Sequence, residues 1–366
     1  MIKTDNKETD IPSRKTKRRL HRRKKPARRP VTQSWTRRSD EHLLDTRLCD
    51  LGLTLAGTKL QKEIDALYRE LENRGFLFRP HTWLSDCWFC PDGVPGFAIP
   101  FYLAHPRLMR LEKAHMLEFD GNTAESRMKL LRHETAHALA NAFRLHLKQS
   151  WRRRFGRASK VYPESYLPRP YSRNYVLHLD NWYAQSHPAE DWAETFAVWL
   201  DPDSRWREKY RDWPALKKLN YVDGLMKEIV GHSPPVRTKK QIESTTTLRI
   251  TLREYYAEKQ TRLQQDLPRF HEQQLRQIFP ASAGHKNERA AHFVRRLRRE
   301  AISTVARWTS DSRYRINLTI EDMIHRCEEM NLHAPRNREE TKIALISSLV
   351  MLYMGSLRSG TSRLAI

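Results

Sequence analysis

The chain has 366 residues, a formal net charge of +24 and a hydrophobic content of 39%. This length is typical of two domains with tails and is sufficient for a proper hydrophobic core. Four cysteines are too few for a disulfide scaffold, so we expect reduced thiols. The sequence shows neither a secretory signal nor a transmembrane segment, and together with the reduced thiols this favours a cytoplasmic location.

The positive charge is concentrated at the N-terminus. Residues 1–40 contain 15 lysines and arginines but 4 acidic residues, and the stretch from Ser13 to Arg38 has almost no apolar side chains. Such a segment cannot fold alone, so we expect residues 1–39 to form a disordered basic tail. The tail would attract nucleic acid or another anionic surface through its charge. The alternative is a solvated tail without a dedicated partner.

Residues 40–231 are expected to form the first folded domain. Helical periodicity and aromatic-rich runs predict two helices followed by two strands, at Leu43–Gly52, Leu60–Asn73, Phe76–Leu84 and Phe97–Leu103. Pro100 confines the second strand to a sheet edge or a bulge. An edge strand at this point would suit main-chain pairing with an extended substrate peptide, and a plain edge shielded by proline fits the pattern equally well.

A linker is predicted at residues 232–240, where Gly231 is followed by His-Ser-Pro-Pro. Beyond it, residues 241–366 are expected to be helical and basic, as a nucleic-acid-binding module or a region with a solvated basic face. The apolar run Ile343–Met354 is too short to span a bilayer and predicts a buried helix. Helices are expected to start at two N-cap patterns, Thr319 with Asp322 and Asn337 with Glu340.

The pattern His-Glu-x-x-His occurs at residues 133–137. The absence of glycine and proline over residues 124–149 predicts a helix around it. On such a helix His133 and His137 share a face, so both imidazoles can point at one metal ion. Glu134 lies about 100° further round and could act as a general base on a water molecule. Taken alone, the pattern also fits an amphipathic helix with surface histidines.

A second box follows, and Glu190 lies 53 positions after the last histidine of the first. Pro188 fits the first turn of a helix and Pro202 its end. Glu190 and Glu194 then share a face, and a catalytic zinc needs a third protein ligand. We choose Glu190 for that position, with Glu194 hydrogen-bonded to the free ring nitrogen of a liganding histidine. Asp191 could exchange roles with either, because neighbours differ by only about 100° in helical phase.

The second box carries a family resemblance. Tyr183 and the following HPAEDWAETFAVWL resemble a bacterial family of zinc-binding metallopeptidases with a YxxSHPxEDxAETxA box, within the glutamate zincins, or gluzincins. The order of HExxH helix, long insertion, tyrosine and glutamate helix is similar to that of the protease domain of anthrax lethal factor. The resemblance covers roughly Asp40 to Gly231, and leaves out the tail and the last third of the chain.

The resemblance implies a complete set of roles. His133, His137 and Glu190 correspond to the ligands of a Zn²⁺ ion, Glu134 to the general base, and Tyr183 to the residue that stabilises the oxyanion. The spacing departs from that of thermolysin, whose third ligand comes much sooner, so its substrate pocket is not implied.

These observations together predict an α+β protein. We expect a zincin-like metallopeptidase core with a small sheet and two crossed metal-binding helices, followed by a helical C-terminal region. The predicted function is zinc-dependent hydrolysis of peptide bonds in a peptide or protein substrate. The alternatives are a basic nucleic-acid-binding protein and a non-catalytic scaffold with a structural zinc site.

Overall fold

The computed structural model describes residues 34–163, 165–280, 286–359 and 364–365. The α-helices in these parts of the chain are α1 (Asp40–Leu44), α2 (Lys59–Asn73), α3 (Pro106–Met116), α4 (Ala124–Phe143), α5 (Gln149–Phe155), α6 (Pro188–Leu200), α7 (Trp206–Lys209), α8 (Leu216–Ile229), α9 (Leu252–Gln264), α10 (Glu272–Ile278), α11 (Ala290–Thr309), α12 (Arg313–Glu329) and α13 (Arg338–Ser359). The strands are β1 (His81–Ser85), β2 (Gly96–Pro100), β3 (Ser165–Tyr166) and β4 (Leu364–Ala365).

Most of the predicted basic tail, residues 1–33, lies outside the described residues. The folded part nevertheless begins before residue 40, because Trp35 is 2% exposed and its indole N–H donates to the carbonyl oxygen of Leu51 at 2.8 Å. The chain is therefore anchored to the core a few residues earlier than the composition indicates.

The small sheet consists of β1 and β2, which pair in parallel over five residues each, from His81 opposite Gly96 to Ser85 opposite Pro100. Every residue of β2 is buried, and the main-chain N–H of Ala98 donates to Phe89. The strand ends at Pro100, three residues earlier than predicted, and a 3-10 helix follows. Because β2 is covered on all sides, the predicted pairing of this strand with a substrate peptide does not fit the structure.

Helices α4 and α6 lie against each other at the centre of the first half of the chain. All residues of α6 from Glu190 to Leu200 are buried, and the indole N–H of Trp192 donates to the carbonyl oxygen of Ala136 at 3.0 Å. Such extensive burial explains why neither helix has the separate polar and apolar faces of an amphipathic helix. Helix α4 ends at Phe143, earlier than predicted, because Arg144 adopts a left-handed conformation with φ at 53°.

The buried apolar residues form two large clusters. The first contains residues from Trp35 to Tyr256, including Leu252 of α9, together with Tyr314 of α12, so residues beyond the predicted linker at 232–240 still belong to this core. The second runs from Phe270 to Tyr353 and consists of residues from α10 to α13 and their connections. Apart from Tyr314, the change from the first cluster to the second thus falls after α9 rather than before it.

Helix α13 contains the apolar run that predicts a buried helix. Only one stripe of it is covered: Leu345, Leu349 and Tyr353 are completely buried, whereas Ile343 and Met351 are 64% and 65% exposed. The helix is therefore half-buried. Among the described residues, no helix combines the length and the apolar character that crossing a membrane would require.

Several basic side chains of α11 are engaged in ion pairs. The pairs join α11 to α12 and to the preceding loop: Arg295 with Glu328, Arg298 with Glu321, and Arg296 with Glu288. This pairing favours a solvated, ion-paired helix face over a surface reserved for phosphate groups.

Candidate metal centre

The two helices at the centre of the fold bring three predicted metal ligands together. His133 and His137 extend from successive turns of α4, and Glu190 from the first turn of α6. Pro188 at the start of α6 and the imidazole of His187, which accepts a hydrogen bond from the main-chain N–H of Ala189, fix where this helix begins. The position of Glu190 follows from that start.

The distances within the cluster are short. Nε2 of His133 lies 3.1 Å from Nε2 of His137, and Oε2 of Glu190 lies 2.9 Å from the first nitrogen and 3.3 Å from the second. Ligands about 2.0–2.2 Å from a tetrahedrally coordinated zinc ion are about 3.3–3.6 Å apart, so the three donor atoms would separate by only a few tenths of an ångström to hold one. Among the described residues, no other group of three or more His, Cys, Asp and Glu side chains is arranged so that it could hold a metal ion. The donor atoms therefore fit zinc in type and spacing.

Glu194 contacts the imidazole of His133 at the ring nitrogen that faces away from the cluster. Its Oε1 lies 2.9 Å from Nδ1 of His133, and its Oε2 accepts a hydrogen bond from the main-chain N–H of Leu179 at 2.8 Å. A carboxylate at Nδ1 favours the tautomer that carries the proton there, which leaves the lone pair of Nε2 directed at the cluster. This is the placement expected for Glu194.

Asp191 is not brought into the cluster. Its Oδ2 accepts a hydrogen bond from the ammonium group of Lys218 on α8 at 2.6 Å, and burial raises its pKa to about 7 although Lys218 opposes that change. The placement differs from the predicted one because one residue along a helix turns the side chain by about 100°, which directs Asp191 to α8 instead.

Glu134 lies beside the cluster without joining it. The residue is 7% exposed, and no hydrogen bond to its carboxylate is found in the part of the chain that the structure describes. Burial raises the pKa of this carboxyl, and the two neighbouring imidazoles only partly oppose the change. The carboxylate is thus available to a water molecule or a substrate proton.

Tyr183 faces the cluster from the segment before α6. The centroid of its ring lies 5.7 Å from that of His133, and burial followed by the charge of Glu190 raises the pKa of its hydroxyl, which therefore stays protonated. The two residues before it, Asn181 and Trp182, have left-handed φ angles of 63° and 54°. Such a conformation costs about 1–3 kcal/mol for a residue other than glycine. The surrounding packing thus holds a strained turn at this point.

The charges of the cluster are strongly coupled. Burial alone would lower the pKa of His133, but Glu190 and Glu194 outweigh it and hold that pKa well above its usual range. Burial alone would raise the pKa of Glu190, but the two imidazoles hold it well below its usual range. Two carboxylates around two imidazoles thus create a place where a positive charge is stabilised.

Tyr162 is a site residue that the sequence did not reveal. Its hydroxyl donates a hydrogen bond to Oε1 of Glu190 at 2.7 Å, and its ring stacks on His187 with the centroids 3.7 Å apart. Tyr162 lies in a proline-punctuated segment without periodicity, so no spacing rule links it to α6. His187 could have been found, because a residue directly before a proline in the first helical turn occupies the N-cap position.

The geometry gives this chain an imidazole–imidazole–carboxylate cluster that could hold a metal ion, between two buried helices. Residues 126–204, which include both boxes, match the model of a family described as "Putative zinc-binding metallo-peptidase". The family resemblance inferred from the two boxes is thereby confirmed over this segment. Neither the comparison with curated proteins nor the comparison with solved structures gave a match.

Proposed function

We propose that this chain is a zinc-dependent metallopeptidase that hydrolyses peptide bonds, with Glu134 as general base. The observation that carries the proposal is the convergence of three donor atoms, 2.9–3.3 Å apart, from helices whose ligands are separated by 53 positions. The family match over the same residues supports zinc as the metal and peptide hydrolysis as the reaction.

The number of protein donors favours catalysis over a structural role. Structural zinc sites are closed by four protein ligands, whereas catalytic sites have three and keep one position open. His133, His137 and Glu190 are the three donors of the cluster found in the described residues. The alternative of a zinc-stabilised scaffold would be better served by a fourth side chain.

Zinc, when bound, supplies Lewis acidity, which acidifies water and polarises a carbonyl group. Glu134 would accept the proton of the attacking water at its carboxylate and then deliver it to the amine nitrogen of the leaving product. Burial raises the pKa of this carboxyl, so its protonated form, which makes the second transfer, is more stable than that of an exposed glutamate.

Glu194 would orient a metal ligand, and Tyr183 would stabilise the charge that develops on the substrate. Glu194 keeps the proton of His133 on Nδ1, so that Nε2 offers its lone pair. The protonated hydroxyl of Tyr183 would donate to the oxygen that becomes negatively charged during attack, an effect worth about 2.7–4 kcal/mol in comparable sites. Within the described residues this hydroxyl has no hydrogen-bond acceptor of its own, which leaves the proton available.

The test is to replace Glu134 by glutamine in the full chain. We expect the purified wild type to contain about one zinc ion and to hydrolyse fluorescently labelled casein or a random peptide mixture. Glu134→Gln should retain zinc and lose hydrolysis by about 10²- to 10⁴-fold, the usual contribution of general acid–base catalysis. Glu125→Gln, a change on the exposed first turn of the same helix, should leave both unchanged.

Two outcomes would overturn the proposal. Hydrolysis that is equally fast in the wild type and in Glu134→Gln would remove the general base from the mechanism. The chain would be a zinc-stabilised scaffold instead if the wild type binds zinc but hydrolyses none of the peptides, and if His133→Ala loses its fold.

A further inference from the structure

Three contacts join the segment around Tyr162 to the start of α6, and Tyr162 itself makes two of them. Its hydroxyl donates to Oε1 of Glu190 at 2.7 Å, and its ring stacks on His187 at 3.7 Å. The Nε2 of that histidine in turn lies 2.9 Å from the carbonyl oxygen of Lys160, two residues before the tyrosine. The tyrosine is thus held from both sides although it is 45% exposed.

These contacts give the two oxygens of Glu190 different environments. Oε2 faces both imidazole nitrogens, at 2.9 and 3.3 Å, whereas Oε1 accepts the hydrogen bond from Tyr162. Among the described residues, no donor other than Tyr162 forms a hydrogen bond with Oε1 of Glu190. A carboxylate oxygen that accepts a short hydrogen bond from a neutral hydroxyl is a weaker ligand for a second contact with the same ion.

We propose that Tyr162 is a positioning residue, which restricts Glu190 to binding the metal through one oxygen only. The inference rests on the proposed zinc peptidase function, because one-oxygen binding matters only if a coordination position must stay open. A glutamate that binds through both oxygens would occupy a further position and crowd out water or substrate. The hydroxyl of Tyr162 is therefore assigned a role in the coordination number of the ion.

The chain offers a matched control in the same segment. The hydroxyl of Tyr166 donates to the carbonyl oxygen of Asn181 at 3.0 Å, and among the described residues no hydrogen bond joins it to Glu190. Tyr162→Phe and Tyr166→Phe each remove one hydroxyl hydrogen bond from this segment. Because the phenyl ring keeps the stack on His187, the first change leaves the packing of the segment in place.

The experiment uses the full chain loaded with Co²⁺, whose visible absorption is much stronger in four-coordinate than in five-coordinate sites. We expect a strong four-coordinate spectrum in the wild type and in Tyr166→Phe, and a several-fold weaker one in Tyr162→Phe. Zinc-edge X-ray absorption of the same three proteins should show one additional oxygen neighbour in Tyr162→Phe alone. Neither readout depends on hydrolysis.

The outcomes separate this inference from the proposed function. Tyr162→Phe with the spectrum and neighbour count of the wild type would overturn the positioning role and leave the peptidase proposal intact. An equally weakened Co²⁺ spectrum in Tyr166→Phe would also overturn the positioning role, since loss of any hydrogen bond in this segment would then change the coordination of the ion. Failure of the wild type to bind Co²⁺ or Zn²⁺ more tightly than His133→Ala would overturn both.

Discussion

Glu112 shows how burial of a single carboxyl makes stability depend on pH. This residue of α3 is completely buried, and its Oε1 accepts a hydrogen bond from the ammonium group of Lys259 on α9 at 2.5 Å. Burial raises its pKa, and Lys259 only partly offsets that change. An unfolded glutamate has a pKa of about 4.3, so above this pH the native state binds more protons than the unfolded one. The stability contributed by Glu112 is therefore fully present at low pH and falls as the pH rises.

We expect Glu112→Gln to gain stability relative to the wild type as the pH rises from about 4 to 7, because glutamine cannot ionise. Urea unfolding of the two proteins across this range measures the difference. Glu254→Gln is a control with the opposite sign, since hydrogen bonds from the main chain and side chain of Thr251 lower the pKa of Glu254. A difference between wild type and Glu112→Gln that stays constant with pH would contradict the prediction.

At the scale of elements, a buried ion pair fixes α4 against α2. Arg132, directly before the first histidine of the cluster, donates two hydrogen bonds of 2.8 Å to the carboxylate of Glu70, and the two side chains are 10% and 16% exposed. Arg132 also lies 3.4 Å from Asp201 just after α6. One guanidinium thus links all three helices around the site.

We expect Glu70→Gln to lower the free energy of unfolding by about 3 kcal/mol, because it leaves a buried arginine without its main partner. Glu72 is a matched control on the same helix: it pairs with Arg79, but their side chains are 43% and 57% exposed. Glu72→Gln should cost less than about 1 kcal/mol. Denaturant unfolding compares the two variants, and equal losses would show that burial does not decide the strength of these pairs.

The helices of the site could be predicted from the sequence because their signals are local. The N-cap hydroxyl of Thr123 and the proline at the start of α6 mark helix starts directly. The prediction that a helix starts at Thr319 was wrong. Thr319 lies inside α12, where its hydroxyl is 2.8 Å from that of Tyr353 and makes a tertiary contact instead of a cap. The end of α4 at Arg144 carries no local signal, since its left-handed conformation depends on packing.

The ligand set could be predicted for a similar reason, since helical spacing decides which side chains share a face. The contact between Tyr162 and Glu190 could not, because it depends on how an aperiodic segment folds back over 28 residues. Helical phase separates Asp191 from Glu190 by about 100°, but the partner of Asp191, Lys218, lies on a third helix whose position the sequence does not give.

At the scale of the whole molecule, tryptophan fluorescence reports mainly on the first of the two hydrophobic clusters. Nine of the ten tryptophans lie between residues 35 and 213, in the part of the chain that forms the first cluster, and Trp308 in the second part is 70% exposed. Tryptophan fluorescence therefore follows the unfolding of the part that holds the candidate metal centre, while far-UV circular dichroism follows the helices of both parts.

We expect zinc to stabilise the first cluster, because the metal binds to a site that exists only in the folded chain. At a free zinc concentration of 100 times Kd, the gain is about 2.7 kcal/mol. Thermal unfolding followed by tryptophan fluorescence, with zinc and with a chelator, measures the shift. His133→Ala should show no such shift, and a zinc-dependent shift of equal size in this variant would place the binding elsewhere.

The burial of α4 and α6 has a consequence for metal selection. Packed helices cannot rearrange their donors to suit one ion and reject another, and an imidazole–imidazole–carboxylate set binds copper more tightly than zinc on intrinsic affinity. On the proposed function, selection of zinc over copper would therefore depend on which metal is available where the chain folds, and not on the shape of the site.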